Sequence, residues 1–108
     1  MRVNIKTNKL DLSPESKKYV LDKMLSLKKY LGQIKSLNCD VEVGMSVGSH
    51  NKGKIYRCEA NLVLPGKLLR VEKTEKELKK AVDKVKDHMQ RSIKRYKDKM
   101  IDKERQGK

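Results

Sequence analysis

Five cations fall in nine residues at Arg91, Lys94, Arg95, Lys97 and Lys99, with one acid, Asp98, among them. No stacking aromatic is interleaved except Tyr96. Such a set engages phosphates as an array of charges and does not read base edges, which needs planar or hydrogen-bonding partners in register. A second basic set, Lys17, Lys23, Lys28 and Lys29, lies near the other end of the chain.

Enzymatic constellations are scarce by comparison. Ser49 and His50 adjoin, but a local Ser-His dipeptide cannot set the geometry of a nucleophile and its base. His88 borders an apolar stripe and reads as a half-buried surface residue. The carboxylates alternate with lysines, as on solvated faces. The two cysteines, Cys39 and Cys58, have neither a metal-ligand spacing nor a disulfide framework. They read as buried free thiols in a reducing compartment. The expectation is a protein that is not an enzyme, with no cofactor, no metal and no small-molecule substrate.

The totals agree with a polyanion as partner. The 108 residues carry 28 basic and 14 acidic side chains, a net charge of +14. Nine basic and three acidic residues lie in 1–35, six and four in 36–74, and thirteen and seven in 75–108, leaving +6, +2 and +6. The excess is therefore concentrated at the two ends. A field of this size favours nucleic acid or an anionic surface. No apolar run approaches the ~20 residues of a membrane span, and Met1-Arg2-Val3 leads into a polar strand with no leader pattern. A cytoplasmic protein is expected.

The elements that must position the cations follow from periodicity. Residues 2–8 alternate as a half-buried strand. Ser13 can cap a helix whose first position is Pro14, with Val20, Met24, Leu27 and Leu31 as its stripe and Gly32 as its end. Lys17 and Lys28 sit on one flank of that stripe, Tyr19 and Lys23 on the other. Residues 37–45 and 54–64 alternate as two further strands, joined through a glycine-flanked connection at 48–53. Leu64-Pro65-Gly66-Lys67 is a type II hairpin turn, and residues 68–73 return as the fourth strand. Thr74-Glu75-Lys76-Glu77 has the form of a capping box opening a long helix from Thr74 to Arg105. Its stripe is Leu78, Val82, Val85, Met89, Ile93, Tyr96 and Met100. Lys84 joins Arg91, Lys94, Arg95, Lys97 and Lys99 as candidates on this helix. Together they are expected to form one wall of a basic groove between the helices.

The order β-α-β-β-β-α gives an α+β domain. It predicts a four-stranded mixed sheet with the two helices side by side on one face, and the first two strands parallel. One domain is expected over 1–101, with 102–108 as a frayed polar tail.

The residues also resemble a family. Val3-Asn4-Ile5, Leu12-Ser13-Pro14, the Lys17…Val20…Leu27…Lys29-Tyr30 pattern, Leu62-Val63-Leu64-Pro65-Gly66, Ala81-Val82-Asp83 and Lys97-Asp98-Lys99 follow in order and nearly end to end. Together they are similar to the short ribosome hibernation-promoting factors, also called ribosome-associated inhibitors or sigma-factor modulation proteins. The resemblance implies a fold like double-stranded-RNA-binding domains. It implies a factor that binds the small ribosomal subunit in the messenger and transfer RNA channel, contacts 16S rRNA backbone, and blocks translation in stress or stationary phase. It assigns those contacts to Lys17, Lys23 and Lys29 and to Arg91, Lys94, Arg95, Lys97 and Lys99. The family's Asp-hydrophobe-Tyr triplet is here Glu77-Leu78-Lys79. No dimerising C-terminal domain follows, so a monomer is expected.

Two other readings stand beside this one. A protein-binding regulator would use the open sheet face around Asp40, Glu42, Arg57 and Glu59. A membrane-surface helix would use the long apolar stripe.

Overall fold

The computed structural model describes residues 1–47 and 53–106. Ser49 and His50, and most of the glycine-flanked connection, lie outside them. The elements are β1 (Arg2–Asn8), α1 (Pro14–Leu25), α2 (Lys28–Leu31), β2 (Asn38–Val47), β3 (Lys54–Leu64), β4 (Lys67–Glu75) and α3 (Leu78–Gln106). The sheet order is β1-β2-β3-β4, with β1 parallel to β2 and the other pairs antiparallel. This is the expected α+β, four-stranded mixed sheet with helices on one face.

The period-2 and period-3.6 patterns meet in one core. Val20, Met24 and Leu27 from the first helical region, Val82, Val85, Met89 and Ile93 from α3, and Cys39, Val43, Cys58, Ala60 and Leu62 from the sheet are all fully buried. Each large member contributes about 1.5–3 kcal/mol by leaving water. The α3 stripe from Val82 to Ile93 is consumed here and is not free to lie on a membrane, while Met100, at its expected far end, stays 41% exposed. No helix among the described residues is long and apolar enough to cross one. Cys39 and Cys58 are free and buried, and burial pushes both thiols up to about 12. They stay protonated and are poor nucleophiles or ligands.

Several boundaries differ from the sequence expectation, each for a local reason. The first helix is interrupted at Ser26 and Leu27. The Ser26 hydroxyl donates to the Lys23 carbonyl (2.5 Å), and the Leu27 N–H bonds back to Met24 (3.1 Å), a tighter turn than α. Gly32 then ends α2 at φ +59, where a Cβ would be strained. Ser13 caps α1 as expected, accepting from the Ser16 N–H at 3.1 Å.

The capping box at Thr74 does not form. Thr74 and Glu75 extend β4, in register with Arg57 and Tyr56, and α3 begins at Leu78. Ladder bonds take the backbone that the cap would have used. Leu37 is not an inward strand residue. It precedes β2, its carbonyl accepts from the Arg2 N–H, and its side chain is 75% exposed. At the other end α3 runs to Gln106, one residue beyond the expected Arg105. Its last described residues are good helix formers with no breaker before Gly107.

Candidate nucleic-acid interface

α1 and α3 pack side by side, and their facing flanks are not apolar but cationic and aromatic. Helical geometry sets this up. With the buried stripe at Val20, Met24 and Leu27, a 100° step per residue puts Tyr19 and Lys23 on the flank toward α3. On α3 the corresponding flank carries Lys79, Asp83, Lys86, Gln90 and Lys97.

Two stations result. At the first, the Tyr19 hydroxyl donates to Asp83 Oδ1 (2.5 Å) and Lys23 Nζ lies 3.3 Å from the same oxygen. The ammonium groups of Lys23 and Lys79 stand 5.5 and 5.2 Å from the Tyr19 ring centroid. The hydrogen bond to Asp83 raises the Tyr19 phenol above its ordinary value and raises Lys23 as well, so both stay protonated at neutral pH. At the second, Lys29 and Lys86 stand 5.2 and 5.3 Å from the Tyr30 ring. Lys86 donates to Gln90 (2.9 Å) and Lys97 to the Tyr30 carbonyl (3.0 Å). Cation–π contacts of this kind hold an ammonium in place without neutralising it, at about 0.5–1 kcal/mol each in exposed settings. Lys23, Lys29, Lys79, Lys86 and Lys97 against Asp83 and Asp87, both of which act on Lys23, leave the groove at +3.

The expected single wall on α3 is therefore corrected. Of its candidates only Lys97 takes part in the groove. Lys94 sits on the solvent crest of the helix, opposite the stripe, and is exposed. Lys84, Arg91, Arg95 and Lys99 belong to the other flank, toward β4. Lys84 forms an ion pair with Glu75 of β4, and this pair lowers the Glu75 carboxyl. Arg91 and Arg95 flank His88, whose imidazole is driven below its usual range by burial and by Lys73, Arg91 and Arg95. Among the described residues the His88 Nδ1 has no hydrogen-bond partner. Lys17 on α1 and Lys28 on α2 keep to the flank away from α3, exposed and without a hydrogen bond or ion pair among the described residues. Lys23 and Lys29 are in the groove.

Lys79, Lys86, Tyr19 and Tyr30 were missing from the sequence-based set. The signal was available: continuing the phase of Asp83 by steps of three, four and seven reaches Lys79, Lys86, Gln90 and Lys97. Lys79 reaches the groove with its ammonium over Tyr19.

The open sheet face is built differently. Glu42, Glu59 and Glu72 stand opposite one another across three strands, an arrangement of like charges that is unfavourable unless compensated. Arg57 compensates it. Its guanidinium donates to Glu72 (2.7 Å), Glu42 (2.9 Å) and Glu59 (2.6 Å), while Arg70 adds a bond to Glu59 (2.7 Å). Asp40 accepts from Asn4 and Asn38. The residues that would have met a protein partner here are engaged with one another.

The chain resembles known proteins over nearly its whole length. The N-terminal domain of Protein Y from Thermus thermophilus matches with 25% identity and a TM-score of 0.69, covering 89% of this chain and 99% of that one. A ribosomal subunit interface protein from Coxiella burnetii shares the fold, with 17% identity, a TM-score of 0.67, and 90% and 98% coverage. No curated protein matches. The family model for Sigma 54 modulation protein / S30EA ribosomal protein matches residues 3–101. The match spans most of the chain, the β-α-β-β-β-α order agrees with the fold of the two solved structures, and the chain belongs to this Sigma 54 modulation protein / S30EA ribosomal protein family.

Proposed function

We propose that this protein is a cytoplasmic ribosome hibernation factor that docks on the small subunit through 16S rRNA phosphates. It occupies the messenger and transfer RNA channel, inhibits translation as a monomer, and needs no cofactor. Family membership supports the ribosome as partner. The observation that carries the reading is the α1–α3 groove, where five ammonium groups are held by two tyrosines, a carbonyl and Gln90 against two carboxylates, Asp83 and Asp87.

Such a groove suits a phosphate backbone. The ammonium positions are set before binding, so less side-chain entropy is lost when phosphates arrive. Tyr19 and Tyr30 are covered by lysines and are not free platforms for bases, so sequence is not read. The rRNA is recognised by the shape of its backbone.

Salt dependence tests this. If about six phosphates are neutralised, raising salt from about 50 to 200 mM is expected to weaken cosedimentation with small subunits by about a thousandfold. Binding that ignores salt would overturn the phosphate-based reading.

A further inference from the structure

A second groove lies on the opposite flank of α3, between it and the β3–β4 turn. Its floor is apolar: Pro65, Leu69, Tyr96 and Met100 line a cavity of about 830 Å³. The Tyr96 hydroxyl donates to the Pro65 carbonyl at 2.8 Å, which ties the turn to the helix and fixes both walls. Met100 is 41% exposed, a large thioether left uncovered at the mouth.

The rim is almost wholly basic. Lys67 stands on the turn, and Arg95, Lys99 and Lys103 recur every fourth residue along α3. Against them stands one carboxylate, Glu104, leaving the rim at +3. Among the described residues none of the four cations is ion-paired.

We propose that this groove docks an acidic protein segment that carries apolar anchor side chains. Charge decides against a second copy of this chain, which at +14 would bring cations to cations. The row from Arg95 to Lys103 spans about 12 Å of helix. A single-headed anionic amphiphile would meet only one end of it, whereas successive carboxylates of a peptide match its length. The floor decides against RNA, because its single ring, Tyr96, is tied by its hydroxyl to Pro65 and bordered by the aliphatic and thioether surface of Pro65, Leu69 and Met100, whereas single strands stack successive bases on several rings. Leucine or isoleucine side chains fill such a floor, and Met adapts to their shape.

The test uses the full chain and a labelled peptide in which leucines recur every third or fourth residue between glutamates. Fluorescence anisotropy gives the affinity and amide shifts give the site. Binding is expected, with shifts concentrated in 66–69 and 92–103. Met100→Glu, at an exposed position, is expected to weaken it at least about tenfold, as is replacing the peptide's leucines by alanine. Neutralising Lys23, Lys79 and Lys86 is expected to leave it unchanged. The proposal is overturned if the alanine peptide binds equally well, if Met100→Glu has no effect, or if the shifts fall in the α1–α3 groove. It is equally overturned if the leucine peptide fails to bind, whether or not single-stranded RNA or dodecanoate occupies 66–69 and 92–103.

Discussion

Neutralising Lys23, Lys79 and Lys86 together, each to Gln, is expected to lower affinity for the small ribosomal subunit by a hundredfold or more near physiological salt. Three lost phosphate contacts, each contributing about 0.9 to the slope of log affinity against log salt, give that size, and the slope itself is expected to fall by about three. Gln at position 23 can still hydrogen-bond Asp83, so the fold is expected to stay intact and the circular dichroism unchanged. Arg91, Arg95 and Lys99 provide a matched control. Changing all three to Gln removes the same charge, but all of it from α3 and from the flank facing β4. Filter binding is expected to show a loss of no more than about tenfold for this set, from the general field alone. Equal losses for the two sets would mean that net charge, not the groove, governs binding.

Arg57→Met is expected to give the largest stability loss of any single charged-residue substitution. The guanidinium is 32% exposed and is shared by three carboxylates, one of which, Glu59, is only 11% exposed. Its removal leaves Glu42, Glu59 and Glu72 facing one another across adjacent strands. A cost of about 2–3 kcal/mol follows, since unpaired charge that is partly screened loses less than a fully buried pair. Thermal unfolding would then fall by roughly 10–20 °C for a domain of this size. The exposed Lys18–Asp22 pair on α1 is the contrast: Lys18→Ala is expected to stay within about 0.5 kcal/mol.

The penalty at Arg57 also has a pH signature. Glu59 is held below the ordinary carboxyl value by the Asn61 hydrogen bond and by Arg70 and Arg57. A depressed folded value means stability that is present above the unfolded value near 4.3 and lost as pH falls through the folded one. The gap between wild type and Arg57→Met is therefore expected to close on acidification, because protonated glutamates no longer repel. A gap that persists below about pH 3 would assign the loss to packing of the Arg57 stem.

Element types were legible because burial writes a period into the sequence. β1 and β3 match their expected limits, and Pro65-Gly66 forms the hairpin turn with Gly66 at φ +68. What periodicity cannot give is the neighbour on each flank. Lys84 and Lys86 look alike in sequence, yet one is committed to Glu75 and the other stands over Tyr30. Glu75 became available only because β4 runs two residues further than its alternation indicates, and that extension depends on pairing with Tyr56 and Arg57, far away in the chain. Lys79 and Lys86 were overlooked for a related reason. Cation density peaks in 91–99, but the flank facing α1 collects its lysines at 79, 86 and 97, about one every two or three turns, so the functional row is sparse in sequence.

The docking face can be read directly by lysine labelling. The chain would be treated with an amine-reactive reagent, free and bound to small ribosomal subunits, and each lysine's modification followed by mass spectrometry. Protection is expected at Lys23, Lys29, Lys79 and Lys86, with Lys67, Lys99 and Lys103 on the β4 side still reactive. Protection of Lys67, Lys99 and Lys103 with the α1–α3 lysines left open would contradict the assignment of rRNA binding to the groove between the helices.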